Sequence, residues 1–340
     1  MEGDVQCAGQ VLGLYLDAET VEYVYSYASM RWIQSEVARK IDNLQAIPVE
    51  TCDSQGSVGG GHGSITFTGD GYIYKRHEKI KTLRSAERWY RRIRNTSLAS
   101  WTPRYFGTEI RSPSKEPTSL KMEDVTWGFD EASTSIMDIK LGKRSYAEDV
   151  GTDVGNDRYV KKLKKLFGVY RETCSKKEYM QFRDVVSTSL AMGFRVTAMR
   201  ISKRASAKRW SPVKLSAPVC SSRAGVSWYN AQSRHQAVVS TLKFFADDGM
   251  ESRPSVLFEY SRILRHFLSD LETSPLFREN EIIGSSVLLI HDKTGRVRVK
   301  WIDFSHVYEP ALPMHSPKKK DGIIGGLKAL IKCIEKAAKS

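Results

Sequence analysis

The sequence has no apolar run approaching the ~18 residues of a membrane-spanning helix, so no transmembrane segment is expected. Its five cysteines (Cys7, Cys52, Cys174, Cys220 and Cys333) are odd in number, scattered, and never in CxxC spacing. That argues against a disulfide framework and against a zinc site, and makes the cytoplasm the expected compartment. The first 25 residues carry acids but no lysine or arginine, so neither a signal peptide nor a transit peptide fits. There is no internal repeat, and no GK[ST] ending that would make a P-loop.

What is present is positive charge in one place. The net charge is +14 over 340 residues. Between Lys161 and Arg209 there are fourteen Lys/Arg against Glu172, Glu178 and Asp184, so most of the excess sits in one segment. A field of that size attracts a polyanion: nucleic acid, an anionic membrane surface, or a multiply phosphorylated small molecule. A solvated basic face is the commoner origin of such a run. With 41% hydrophobic and 27% charged residues, the chain is otherwise ordinary for a globular protein of one or two domains.

Residues 1 to about 55 read as an appendage with an amphipathic helical stretch. The glycines Gly59, Gly60, Gly61 and Gly63 lead into "SITFT", a "GDG" turn and "YIYKR", which predicts a β-hairpin. "SAERWYRRIRN" predicts a helix capped by Ser85. "TPRYFG" reads as a turn and "SLKMEDVTWGF" as a strand leaving the sheet. Basic helices follow to about residue 190, then a strand "FRVTAMRIS", two amphipathic helices, a hairpin "SSVLLIHD…VRVKWIDFSHV", and a closing helix "IIGGLKALIKCIEKAAK".

The stretch "STSIMDIKLGKRSY" is the most unusual. It reads as a buried strand, yet holds Asp138 and Lys140. Alternation puts both on one face, with the apolar residues assigned to the other. A carboxylate and an ammonium side by side can align a hydroxyl, accept its proton and offset charge on a moving phosphoryl group. A structural ion pair explains the pattern equally well. Lys75, on the strand after the glycine-rich loop, can reach phosphates as a point charge, and Glu87 on the next helix can hold it. Taken singly, a surface lysine and a solvated glutamate fit too. Asp303, at the end of an apolar strand and before Phe304, is costly there unless paired or bound to a cation. A turn aspartate is the simpler reading of Asp-Phe alone.

Read in order, these pieces resemble the inositol polyphosphate kinase family. Its PxxxDxKxG signature is similar to "TSIMDIKLG", with Asp138, Lys140 and Gly142 in place and Thr134 where the family has proline. "SSVLLIHD", "WIDFSH" and "DGIIGGLKALI" are similar to further family elements. "YMQFRDVVSTSLAMGFRVTAMR", "MEDVTWGFD" and "FRENEIIGSS" resemble most the inositol 1,4,5-trisphosphate 3-kinases within it. The likeness runs over roughly residues 56 to 335.

The resemblance implies an α+β, two-lobed kinase-like fold: an N-terminal helical extension (1–55), an antiparallel-sheet ATP-binding lobe (56–129), and an α/β catalytic lobe (130–340) carrying a basic helical insertion (148–210). It implies that ATP and Mg2+ are the cofactors and inositol 1,4,5-trisphosphate the acceptor, phosphorylated at its 3-hydroxyl. Lys75 would grip ATP phosphates, and Glu123 and Val125 would offer backbone groups to adenine beside Asp124. Asp138 would orient or deprotonate the hydroxyl, and Lys140 would touch substrate and transferring phosphate. Asp303 would hold magnesium, with Ser286 nearby. Lys176, Tyr179, Arg183 and Arg200 match positions that bind inositol phosphates. His306 stands where the 3-kinases have lysine and the multikinases histidine; Arg200 replaces a lysine.

Two alternatives stay open: a multikinase with broader inositol phosphate use, and a non-catalytic binder of inositol phosphates or phosphoinositides. No nucleic acid partner is expected. The stretch "ASMRWIQSEVARKI", with Trp32, Ile33 and Val37 among Arg31, Arg39 and Lys40, raises calmodulin as a candidate partner, although it is less basic than a typical target helix.

Overall fold

The computed structural model describes residues 65–77, 79–109, 119–130, 132–146, 157–167, 172–201, 213–214, 231–246, 253–309 and 322–339. The amphipathic stretch in residues 1–55, the calmodulin candidate within it and the glycine-rich loop at 59–63 lie outside the described residues.

The first sheet has the order β1-β2-β4-β3 and is antiparallel throughout. Its strands are β1 (Ile65–Phe67), β2 (Tyr72–Arg76), β3 (Tyr105–Glu109) and β4 (Ser119–Glu123). Helix α1 (Ile80–Ile93) covers it with Leu83, Ala86, Trp89, Tyr90 and Ile93, one buried face at helical spacing. Three sequence expectations change here. The helix starts before Ser85, which is no cap: its hydroxyl donates to Phe304 O (3.3 Å) and accepts from Val307 N (3.2 Å), tying α1 to the loop after Asp303. "YFG" is strand β3 rather than turn, with a bulge between Tyr105 and Gly107. Strand β4 lies inside the sheet, and the chain leaves it only at Asp124.

The second sheet, β10-β9-β5-β6-β7, is also antiparallel. It comprises β5 (Ser135–Leu141), β6 (Phe194–Arg200), β7 (Val213–Lys214), β9 (Ser286–His291) and β10 (Val297–Ile302). Between β5 and β6 run α2 (Asp157–Phe167), α3 (Lys176–Val186) and the short α4 (Ser189–Met192). Helices α5 (Ala231–Ala246), α6 (Arg253–Thr273) and α7 (Pro275–Glu279) follow β7. A small pair, β8 (Glu281–Ile282) with β11 (Val307–Tyr308), and α8 (Ile323–Lys339) complete the described elements. Among them no helix is long and apolar enough to cross a membrane.

One apolar core runs through both sheets. Trp301 of β10 sits at its centre, with ring centroids 6.0 Å from Trp89 of α1, 5.5 Å from Phe267 of α6 and 4.8 Å from Phe304. The start of α8 meets the turn between α4 and β6 backbone to backbone. A Cβ on Gly326 would lie 1.9 Å from Gly193 O, whereas one on Gly325 meets nothing within 4 Å. Gly193 O in turn accepts from Gly142 N (2.7 Å), just past β5. Gly326→Ala is therefore expected to lose at least about 3 kcal/mol of stability, the upper range for overpacking. Gly325→Ala should hold or gain up to about 1 kcal/mol from helix propensity. Denaturant unfolding of the two variants checks the contrast.

Candidate active site

The site begins with the register of β5. Opposite residues share a face, so Ile136, Asp138 and Lys140 lie with Ile290, Leu288 and Ser286 of β9. Arg298, Lys300 and Ile302 of β10 continue that face. Met137, Ile139 and Leu141 point into the main core. Ile136 thus belongs with Asp138, contrary to the simple division into a charged and an apolar face. It forms a small separate cluster with Val125, Leu288 and Ile290, flanked by Phe129 and Ile302.

On β6 the register slips by one at Thr197, whose hydroxyl donates to Asp138 O (3.1 Å). Regular alternation would place Arg200, Ala198, Val196 and Phe194 on one face. The bulge instead puts Arg200 against Ile136, Ala198 against Asp138, and Arg195 against Lys140. Val196 and Phe194 turn into the core. Arg195, not Arg200, is the arginine across from Lys140.

Asp138 is 2% exposed, and its Oδ1 has no hydrogen-bond partner among the described residues; the same holds for the buried hydroxyl of Ser285. Burial, then the charge of Asp303, pushes the Asp138 carboxyl above the ordinary carboxylate value, partly offset by Lys140. Lys140 Nζ donates to Gly284 O (2.6 Å), and burial lowers its pKa against the pull of Asp303. Asp303, just past β10, pairs with Lys75 of β2 and so links the two sheets. Burial alone would raise the Asp303 carboxyl, but Lys75 and Lys140 outweigh it and hold it below the usual value. Asp303 has φ 70°, the one positive φ of a non-glycine among the described residues. Such a conformation needs enforcement, which its core neighbours Trp301 and Phe304 and the Ser85 link supply. Lys75 does not pair with Glu87, which instead accepts from Arg91 (2.8 Å) and from Tyr105 Oη (3.1 Å).

The segment after β4 is clamped from the second sheet. Arg298 donates to Val125 O (2.6 Å) and lies 4.9 Å from the Phe129 ring centre. Lys300 donates to Ser100 O and Thr102 O (3.1 Å each). The Asp124 carboxylate is spent on its own turn, accepting from Thr126 N (2.8 Å) and Oγ1 (2.6 Å). The carboxylate of Glu123 likewise accepts from Arg104 N (3.0 Å). Thr134, at the signature's proline position, donates to Asp130 O (2.5 Å) and closes the next turn.

Helix α3 begins with a full capping box between Ser175 and Glu178. Lys176, Tyr179 and Arg183 follow at i, i+3 and i+7, one face of the helix. The Tyr179 ring lies tilted against Tyr159 of α2, centroids 5.4 Å apart, with Lys162 5.6 Å above it. Burial, then the charges of Arg158, Arg183 and Lys176, lowers the Lys162 pKa, the mark of a crowded cationic wall. Arg183 Nη2 donates to Ser145 Oγ (3.1 Å). Ser145 donates through N (2.6 Å) and Oγ (2.7 Å) to Asp184, which also takes Arg195 Nη1 (2.6 Å). His306 lies where its carbonyl accepts from Ile283 N (2.9 Å), one residue before Gly284. Sequence reasoning missed Arg195, Asp184, Ser145, Arg298 and Lys300. Only the bulge, which leaves no sequence signature, brings Arg195 to the site.

Comparison with known proteins places this geometry. Residues 119–335 match the family model described as inositol polyphosphate kinase. Human inositol-trisphosphate 3-kinase B is 25% identical over 292 residues, covering 80% of this chain and 27% of that protein. Human inositol-trisphosphate 3-kinase A is 26% identical over 260 residues, 71% of this chain and 50% of that one. The chain thus spans between about a quarter and a half of these curated relatives. The crystal structure of the S. cerevisiae inositol phosphate multikinase Ipk2 with ADP and Mn2+ superposes with a TM-score of 0.53 at 18% identity, covering 78% of this chain and 98% of that one. At that identity it speaks for a shared α+β, kinase-like fold.

Proposed function

The chain belongs to the inositol polyphosphate kinase family, and from that premise we propose that it transfers the γ-phosphoryl group of ATP to the 3-hydroxyl of inositol 1,4,5-trisphosphate, giving inositol 1,3,4,5-tetrakisphosphate in inositol phosphate and calcium signalling. Residues 56–129 form the ATP-binding lobe of this reading and 130–340 the catalytic lobe. The observation that carries it is the Asp138–Lys140 pair on one sheet face, with Asp303, paired to Lys75, close enough to act on both charges.

Adenine lies against Val125, Ile136, Leu288 and Ile290, with the backbone of Glu123 and Val125 as its polar partners. Lys75 meets the phosphates. The residues fit a divalent ion: Asp303 is held ionised, and Asp138 Oδ1 has no hydrogen-bond partner among the described residues. No described cluster of three or more His, Cys, Asp or Glu could hold a metal alone, so Asp303 would share Mg2+ with nucleotide phosphates and water, as that ion prefers. When bound, it would offset phosphate charge. Asp138 accepts the hydroxyl proton at Oδ1, and its raised pKa makes it a better base than an exposed aspartate. Lys140 faces the transferring phosphoryl group. Lys176, Tyr179 and Arg183 bind the inositol phosphates, with Arg200 and His306 at the margin.

His306 and Arg200 favour a second reading, a multikinase with looser acceptor choice. Incubation with ATP, Mg2+ and a panel of inositol phosphates, with products resolved by position, decides. A single product, inositol 1,3,4,5-tetrakisphosphate, is expected. Serial phosphorylation at several positions establishes the multikinase, and binding without turnover establishes a non-catalytic binder.

A further inference from the structure

Resting on the kinase reading, we infer that Asp184 is a positioning residue, which through Ser145 and Arg195 sets the phosphate-gripping Arg183 at a fixed place beside the catalytic pair. Asp184 is 3% exposed and joins three separate pieces of chain. It accepts both the N–H and the hydroxyl of Ser145, three residues beyond Gly142 on the segment leaving β5. It accepts from Arg195, which the bulge at Thr197 has turned onto the catalytic face opposite Lys140. It sits on α3 directly after Arg183, whose Nη2 returns to the same Ser145 hydroxyl. Arg195 is braced a second time by Ser189 Oγ (2.6 Å), at the start of α4. The insertion helix, the catalytic strand and β6 are thereby joined at one carboxylate.

Arg183, through Ser145, and Arg195 converge on one carboxylate, Asp184, whereas Lys140 is held by Asp303 and Asp138. Arg195 is 5% exposed, and among the described residues its Nη2 and the buried Nε of Arg183 have no hydrogen-bond partner. A buried guanidinium donor left unmet costs the desolvation of a charged group. Buried ion pairs are in any case weak stabilisers. Unmet donors held rigidly are what a phosphate-binding site requires, since fixed forks lose less on binding.

Ser145→Ala removes the Arg183 bridge but keeps the Ser145 N–H bond to Asp184. It should weaken inositol 1,4,5-trisphosphate binding by roughly tenfold, the worth of a hydrogen bond to a charged group, with the ATP KM within about twofold. Asp184→Asn should weaken it by roughly a hundredfold, with Asp184→Glu recovering part of the loss. The dissociation constant for inositol 1,4,5-trisphosphate is read by calorimetry without nucleotide, alongside the thermal midpoint and both KM values. An unchanged dissociation constant with a lowered midpoint in Ser145→Ala overturns the inference, as does equal loss of inositol trisphosphate and ATP affinity. Should the parent protein bind inositol trisphosphate yet transfer nothing, the kinase reading falls while the binding contrast still judges Asp184. Should the parent protein not bind it at all, both fall.

Discussion

Asp138→Asn is expected to lower kcat about a thousandfold, within the range for a lost general base, while ATP affinity stays within about twofold. The two side chains have the same shape, so only the charge and the proton acceptor are lost. In the folded protein the Asp138 carboxyl has a raised pKa, because burial and Asp303 disfavour its ionised form. The folded state therefore holds the Asp138 proton more tightly than the unfolded chain. The stability this contributes is fully present below the unfolded pKa and is lost as pH rises through the folded one. At neutral pH the ionised group is a net cost, so the asparagine variant should unfold at the same or a higher temperature than the parent. Activity behaves oppositely: parent kcat needs the carboxylate and should fall at a higher pH than an ordinary aspartate would cause. The variant's residual rate should lack that limb. Retained activity within tenfold, or a lowered unfolding temperature, would falsify the assignment of Asp138 as the base.

Asp303→Asn should show the reverse stability effect with a comparable loss of turnover, roughly a hundredfold or more. Lys75 and Lys140 hold the Asp303 carboxyl below its usual range in spite of burial. A depressed carboxylate contributes stability above its unfolded pKa and loses it as pH falls through the folded value. The variant should be less stable at neutral pH and converge on the parent in acid. Asparagine tolerates the φ of 70° at this position, so backbone strain does not confound the comparison. The divalent-ion concentration for half-maximal rate should rise at fixed ATP. A variant that keeps its turnover and its ion requirement removes Asp303 from the metal's neighbourhood. The two substitutions are chemically identical, so opposite signs in unfolding temperature are diagnostic.

Asp138 and Lys140 were legible because their placement depends on local alternation alone. Lys75 and Asp303 lie 228 positions apart, and no pattern in the chain pairs them; the family likeness implied only that both serve the nucleotide and its metal. Glu87 was misjudged as the partner of Lys75 because a helix face is legible while the rotation of that helix on its sheet is not. Ser85 has the chemistry of a cap and spends it on the loop after Asp303. Arg195 escaped because one bulged residue reverses the parity of every side chain before it. Val196 and Phe194 would have been assigned to the site by the same reasoning that left Arg195 out.

The grip of Arg298 and Lys300 on the carbonyls of Ser100, Thr102 and Val125 has a mechanical consequence. Two halves stitched along that seam, and sharing Trp301 at their common centre, do not swing apart as rigid bodies. X-ray scattering should therefore register almost no change in radius of gyration when ATP is added.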